Sequence, residues 1–181
     1  MSGQEKKERK STGGFSRKEA LQAGKFILGI AVFFAAITFF LSLFPIEWFE
    51  FFFAQASAWA LGFFGIPTAV NAAREPVLMM VQGIPLPIAI SYLCTGLLEA
   101  TVLVSAIAAS FGIETRKRLK GIAGAVAVSI AFNFLRIVAS ILAIAFLGLE
   151  AGDLAHNILF RFTLFIVIAG YYWVWIKKSE K

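Results

Sequence analysis

The 181-residue sequence holds one cysteine, Cys94, one histidine, His156, and one aspartate, Asp153. A single thiol rules out a disulfide framework within the chain and every multi-cysteine metal or redox motif. A single aspartate rules out a paired-aspartate protease, and a single histidine rules out zinc sets built on two closely spaced histidines. No Gly-x-Ser-Gly tetrapeptide is present to carry intramembrane serine chemistry. For an enzyme, cysteine chemistry is what remains. Charge is also scarce at 15%, and the net +6 is concentrated in the first 25 residues, in "ETRKRLK" and in the C-terminal "KKSEK". That distribution describes orientation in a membrane, and the fold class it implies has no use for nucleic acid.

What the chain has in quantity is apolar surface. Hydrophobic residues make up 59% of it, with 20 Phe, and the mean hydropathy is +0.80. A soluble core cannot use that much, so the composition predicts an integral membrane protein. Residues 1–25 read as a basic cytoplasmic tail, disordered or partly helical. Residues 26–176 read as a single membrane domain, and residues 177–181 as a second cytoplasmic tail. Four runs, at about 26–44, 90–113, 122–147 and 158–176, are each long enough to cross a core of roughly 30 Å at about 1.5 Å per residue. The first run is too long for a signal-peptide core and lacks a small-residue cleavage site, so it is expected to stay uncleaved.

Arg116, Lys117, Arg118 and Lys120 belong inside, as do Lys177, Lys178 and Lys181. Both termini are then cytoplasmic, and residues 45–89 cross the membrane an even number of times, taken as zero. "IEWFEFFFAQASAWALGFFG" reads as an interfacial amphipathic helix or a tilted, partly inserted one. "VLMMVQGIPLPIAI" reads as a β-hairpin-like extracytoplasmic cap, broken at Gln82-Gly83, Pro85 and Pro87. The expected fold is an all-α polytopic membrane protein with about four transmembrane helices plus this helix and cap. Tyr171, Tyr172, Trp173 and Trp175 read as an interfacial aromatic belt.

Charges within apolar spans are costly and mark structural pairs or chemistry. Glu99, Arg136, His156 and Arg161 are the candidates. Counting from the basic anchors at about 1.5 Å per residue puts Cys94 and His156 roughly 30 Å up, and Arg136, Arg161 and Glu99 roughly 22–24 Å up. A guanidinium reaching toward Cys94 would favour its thiolate and stabilise an oxyanion, and His156 would move protons. Thr95 and Gly96 would let a substrate backbone approach the thiol. The bland reading stands beside this one: Cys94 as an apolar filler, with Glu99 and Arg136 as a structural pair in a non-catalytic membrane scaffold or assembly subunit.

"CTGL" at Cys94, "NFLR" ending at Arg136 and "HNILFR" from His156 to Arg161 stand in an order that resembles the exosortase and archaeosortase family of membrane transpeptidases. "LGFFGIP" and the hairpin-like lead-in are also similar to that family, over about residues 60–165. The resemblance implies Cys94 as nucleophile, Arg136 as its electrostatic partner and His156 as acid-base residue, with Arg161 as alternative or additional third residue. It implies no cofactor and no metal. Substrates would be exported proteins ending in a short motif, a transmembrane helix and a basic tail. They would be cleaved through a thioacyl intermediate and passed to a lipid or cell-surface acceptor, at a site on the extracytoplasmic face of the cell membrane. Relative to longer relatives, the chain is expected to be a small, archaeosortase-like core with one span before the cap.

Overall fold

The computed structural model describes residues 16–73 and 75–179, and their side chains except those of residues 159–161 and 163–164. Most of the basic N-terminal tail, Lys181 and the Arg161 side chain lie outside this description.

Helix α1, Arg17–Leu41, starts at a capping box in which Ser16 and Glu19 exchange side-chain and backbone hydrogen bonds. The box satisfies amide groups that the first turn leaves without helical partners, so the helix opens nine residues before the apolar run at residue 26. Helix α2, Ile46–Phe63, follows after a short turn. Three short strands come next: β1, Thr68–Asn71; β2, Val77–Val81; and β3, Ile88–Ile90. A 3-10 turn, Tyr92–Cys94, leads into α3, Leu97–Ala108. Two long helices complete the fold: α4, Thr115–Leu147, and α5, Leu149–Ser179.

Among the described residues, α1 and α4 are long and apolar enough to cross a membrane, each with a mean hydropathy of 2.2 over its best window. At about 1.5 Å per residue they are roughly 37 and 50 Å long. The second predicted run, 90–113, is not one continuous helix. Residues 90–96 hold the end of β3, the 3-10 turn and Gly96, and α3 has 12 residues, or about 18 Å of helix.

The cap is a three-stranded antiparallel sheet in the order β1-β2-β3, where a hairpin was expected. Thr68 pairs with Val81 and Val77 with Ile90. Strand β2 alternates as a half-buried strand should: Val77, Met79 and Val81 are buried and Met80 is exposed. The buried face packs on Phe53, Ala54 and Leu61 of α2 and on Ile137 and Ile141 of α4. Glu50 of α2 is buried, and its carboxylate accepts the Val77 N–H at 3.3 Å. The outward side of α2 is apolar, with Trp48, Phe52, Trp59 and Phe63 exposed.

Lipid tails are as apolar as the helices, so contact between membrane helices rests on close packing and polar contacts. At the α4–α5 contact, a Cβ on Gly121 or Gly124 would run into Trp175 or the Tyr171 hydroxyl. Tyr171 donates to the Gly121 carbonyl at 2.8 Å and Trp175 to the Lys117 carbonyl at 3.3 Å. Trp175 is therefore buried between helices. Trp173 is exposed, with the Lys177 ammonium 4.0 Å above its ring.

The ten residues expected to form a loop between the last two spans are nearly all helical. Gly148 alone, at φ +92°, separates α4 from α5. Gly152 lets the first turn of α5 press onto Ile144, where a Cβ would overlap that side chain. His156 consequently sits in the third turn of α5 and not at its start.

Candidate functional site

Cys94 closes the 3-10 turn, with its N–H donating to the Ser91 carbonyl at 2.8 Å. Thr95 locks this turn from the other side. Its hydroxyl donates to the Tyr92 carbonyl at 2.7 Å and accepts the Leu97 N–H at 3.4 Å, so one buried side chain ties the turn to the first residue of α3. Gly96 makes the junction possible. Its φ of +77° lies in the left-handed region that penalises a Cβ, and a Cβ there would also fall inside the Asn133 carboxamide on α4.

The close approach at Gly96 carries the turn onto α4, one helical turn from Arg136. Arg136 is buried, and its Nη2 donates to the carbonyl of Leu93, the residue before the thiol, at 3.2 Å. Its Nη1 stands 3.8 Å from Glu99 Oε1, and both side chains are almost fully enclosed. The other Glu99 oxygen has no hydrogen-bond partner among the described residues. The guanidinium lies within electrostatic range of the Cys94 thiol as well as of Glu99.

Cys94 and His156 line one cleft of about 470 Å³. Strand β3 and Ser91 form one wall. Ile137, Ser140, Ile141 and Ile144 of α4 form a second, and Gly152, Asp153 and His156 of α5 a third. The Ser91 hydroxyl is 3.7 Å from the thiol. His156 is half-buried and lies within electrostatic range of both Arg136 and Asp153. Among the described residues, no group of three or more His, Cys, Asp or Glu side chains is arranged to hold a metal ion.

Three of the sequence candidates thus meet around one turn of chain, with Cys94 and His156 on the cleft and Arg136 bonded beside the thiol. Thr95 and Gly96 shape the backbone under Cys94, and Glu99 neighbours Arg136. Ser91, Ser140 and Asp153 escaped the sequence reading. Asp153 carried a usable signal, since Asp-x-x-His puts both side chains on one helical face, but the segment read as a loop. Nothing local marks Ser140 apart from its position four residues after Arg136.

A family model described as transmembrane exosortase (Exosortase_EpsH) matches residues 13–176 of the chain. No curated protein matches it. No solved structure matches it.

Proposed function

Because the chain belongs to the transmembrane exosortase family, whose members are membrane proteins that generally act as cysteine transpeptidases on exported proteins, we propose that it cleaves and transfers such substrates through Cys94. The observation that carries this reading is the pair of cleft walls bearing the Cys94 thiol and His156, with Arg136 hydrogen-bonded to the Leu93 carbonyl.

The chemistry follows from those groups. Arg136 places positive charge beside the Cys94 sulfur, and His156 takes the thiol proton, leaving the sulfur as the nucleophile. The thiolate attacks the scissile carbonyl carbon, a C–S bond forms, and the carbonyl electron pair moves onto oxygen. Collapse of that intermediate breaks the C–N bond while His156 gives a proton to the departing amine. The substrate's new C-terminus is then held as a thioester. His156 next removes a proton from the acceptor nucleophile, which displaces the thiol. Asp153, one helical turn before His156, orients the imidazole.

His156 is assigned the acid-base role on its place in the cleft lining, with Arg161, whose side chain lies outside the described residues, kept as the alternative or additional third residue. The substrate is an exported protein with a C-terminal motif, an apolar helix and a basic tail, and the acceptor a lipid or cell-surface group. The proposed topology has four crossings, both termini cytoplasmic and the cleft outside.

Cys94→Ala and Cys94→Ser test this directly. Exported proteins of that C-terminal pattern should accumulate uncleaved in cells carrying either variant. Normal processing with both variants folded would leave the Glu99–Arg136 ion pair as part of a non-catalytic scaffold. A membrane-impermeant maleimide added to intact cells should label Cys94, and labelling only after permeabilisation would overturn the topology.

A further inference from the structure

Ser140 carries an unexplained hydroxyl. Its side chain is 5% exposed, and Oγ has no hydrogen-bond partner among the described residues. Helical hydroxyls have a ready local solution, which is to donate to the carbonyl four residues back. Thr101 and Ser105 both take it, at 2.7 and 2.6 Å. Two other buried serines, Ser57 and Ser129, also lack a partner, but Ser140 differs from both in lining the cleft with Cys94 and His156. It also lies on the same face of α4 as Arg136, one turn further along.

A buried, unpaired hydroxyl opposes folding, and the site that keeps one has a donor ready for a group that arrives later. We propose that Ser140 Oγ donates a hydrogen bond to the carbonyl oxygen attacked by Cys94 and holds the negative charge that develops there. This rests on the acyl-transfer reading above. In the step concerned, the thiolate sulfur bonds to the carbonyl carbon, the π pair moves to oxygen, and the Ser140 O–H meets that oxygen. When the intermediate collapses, the pair returns and the leaving group departs, with no change at Ser140. A donor set in advance where charge forms needs no rearrangement at the moment of reaction.

p-Nitrophenyl acetate tests the proposal in the full-length protein in detergent. Attack by Cys94 passes through such an oxyanion, expels p-nitrophenolate and leaves an acetyl thioester, read as an acetyl mass gain that hydroxylamine removes and Cys94→Ala lacks. Methyl methanethiosulfonate modifies the same thiol without forming an oxyanion. Ser140→Ala should slow acetylation roughly 10- to 100-fold, the range for a hydrogen bond to a charged group. Thiosulfonate modification should keep its rate, thermal stability should stay level or rise, and Ser140→Thr should restore much of the acetylation rate. Wild-type acetylation by Ser140→Ala, or equal slowing with both reagents, would overturn the proposal. If the wild type forms no thioester at Cys94 at all, the acyl-transfer reading itself fails and the role of Ser140 falls with it.

Discussion

Replacing Gly96 with alanine tests the geometry that presents the thiol. At φ +77° and ψ 8°, Gly96 occupies a conformation that costs a residue with a Cβ about 1–2 kcal/mol. The added methyl also meets Asn133, whose carboxamide is buried and donates to the Ser129 carbonyl at 3.0 Å, so it cannot swing aside without breaking that bond. Overpacking of this kind costs about 1–3 kcal/mol. The two effects sum to about 2–5 kcal/mol, a large share of the total for an ordinary domain. The measurement is thermal unfolding in detergent alongside the rate of Cys94 alkylation. Relaxation at Gly96 should pull Leu93 away from Arg136 and change that rate as well. Adding Asn133→Ala removes the overlap but not the backbone strain. The double-mutant cycle should therefore return a coupling of about 1–3 kcal/mol in the sense of rescue. A Gly96→Ala protein within about 0.5 kcal/mol of wild type, the range of an ordinary surface change, would refute the reasoning.

Truncating either Glu99 or Arg136 should destabilise the protein by about 3–5 kcal/mol, since the remaining charge is left buried; Glu99→Leu with Arg136→Met should recover most of that loss in the same melting assay. Gly152→Leu should drive α5 away from Ile144, costing about 1–3 kcal/mol, and should alter Cys94 alkylation because both residues line the cleft. Glu50→Ala leaves the buried Val77 N–H without its acceptor, at a cost of about 1–3 kcal/mol. Faster hydrogen exchange at the Val77 amide would report it, and unchanged exchange would show that the α2–β2 link is dispensable.

Much of the site was legible because its residue types are rare. One Cys and one His leave few constellations to weigh, and Arg136 is conspicuous in an apolar run. Depth counting brought these residues to similar levels even though its assumption of an unbroken helix through Cys94 fails. The 3-10 turn and Gly96 interrupt that helix, yet the chain still delivers the thiol to the end of the bundle where α4 meets α5. Strand β1 went unread because "TAVN" is four residues long and acquires its strand character from pairing with β2. The first turns of α5 were missed for a related reason. "GLEAGDLAHN" has the polarity of a loop, and its helix is supported by the packing of Gly152 on Ile144.

By itself the sequence determined that this is a membrane protein, because partition into lipid depends on the composition of runs about twenty residues long, and such runs are visible without knowing what they touch. It also determined which few residues were available for chemistry. Only the tertiary structure decided that Cys94 sits on a turn ahead of its helix, that Arg136 bonds to the carbonyl beside it, and that Ser140 and Asp153 share its cleft. Those facts depend on α4 meeting the backbone at Gly96, a contact between segments far apart in sequence, and on Gly152 packing against Ile144 across the break at Gly148.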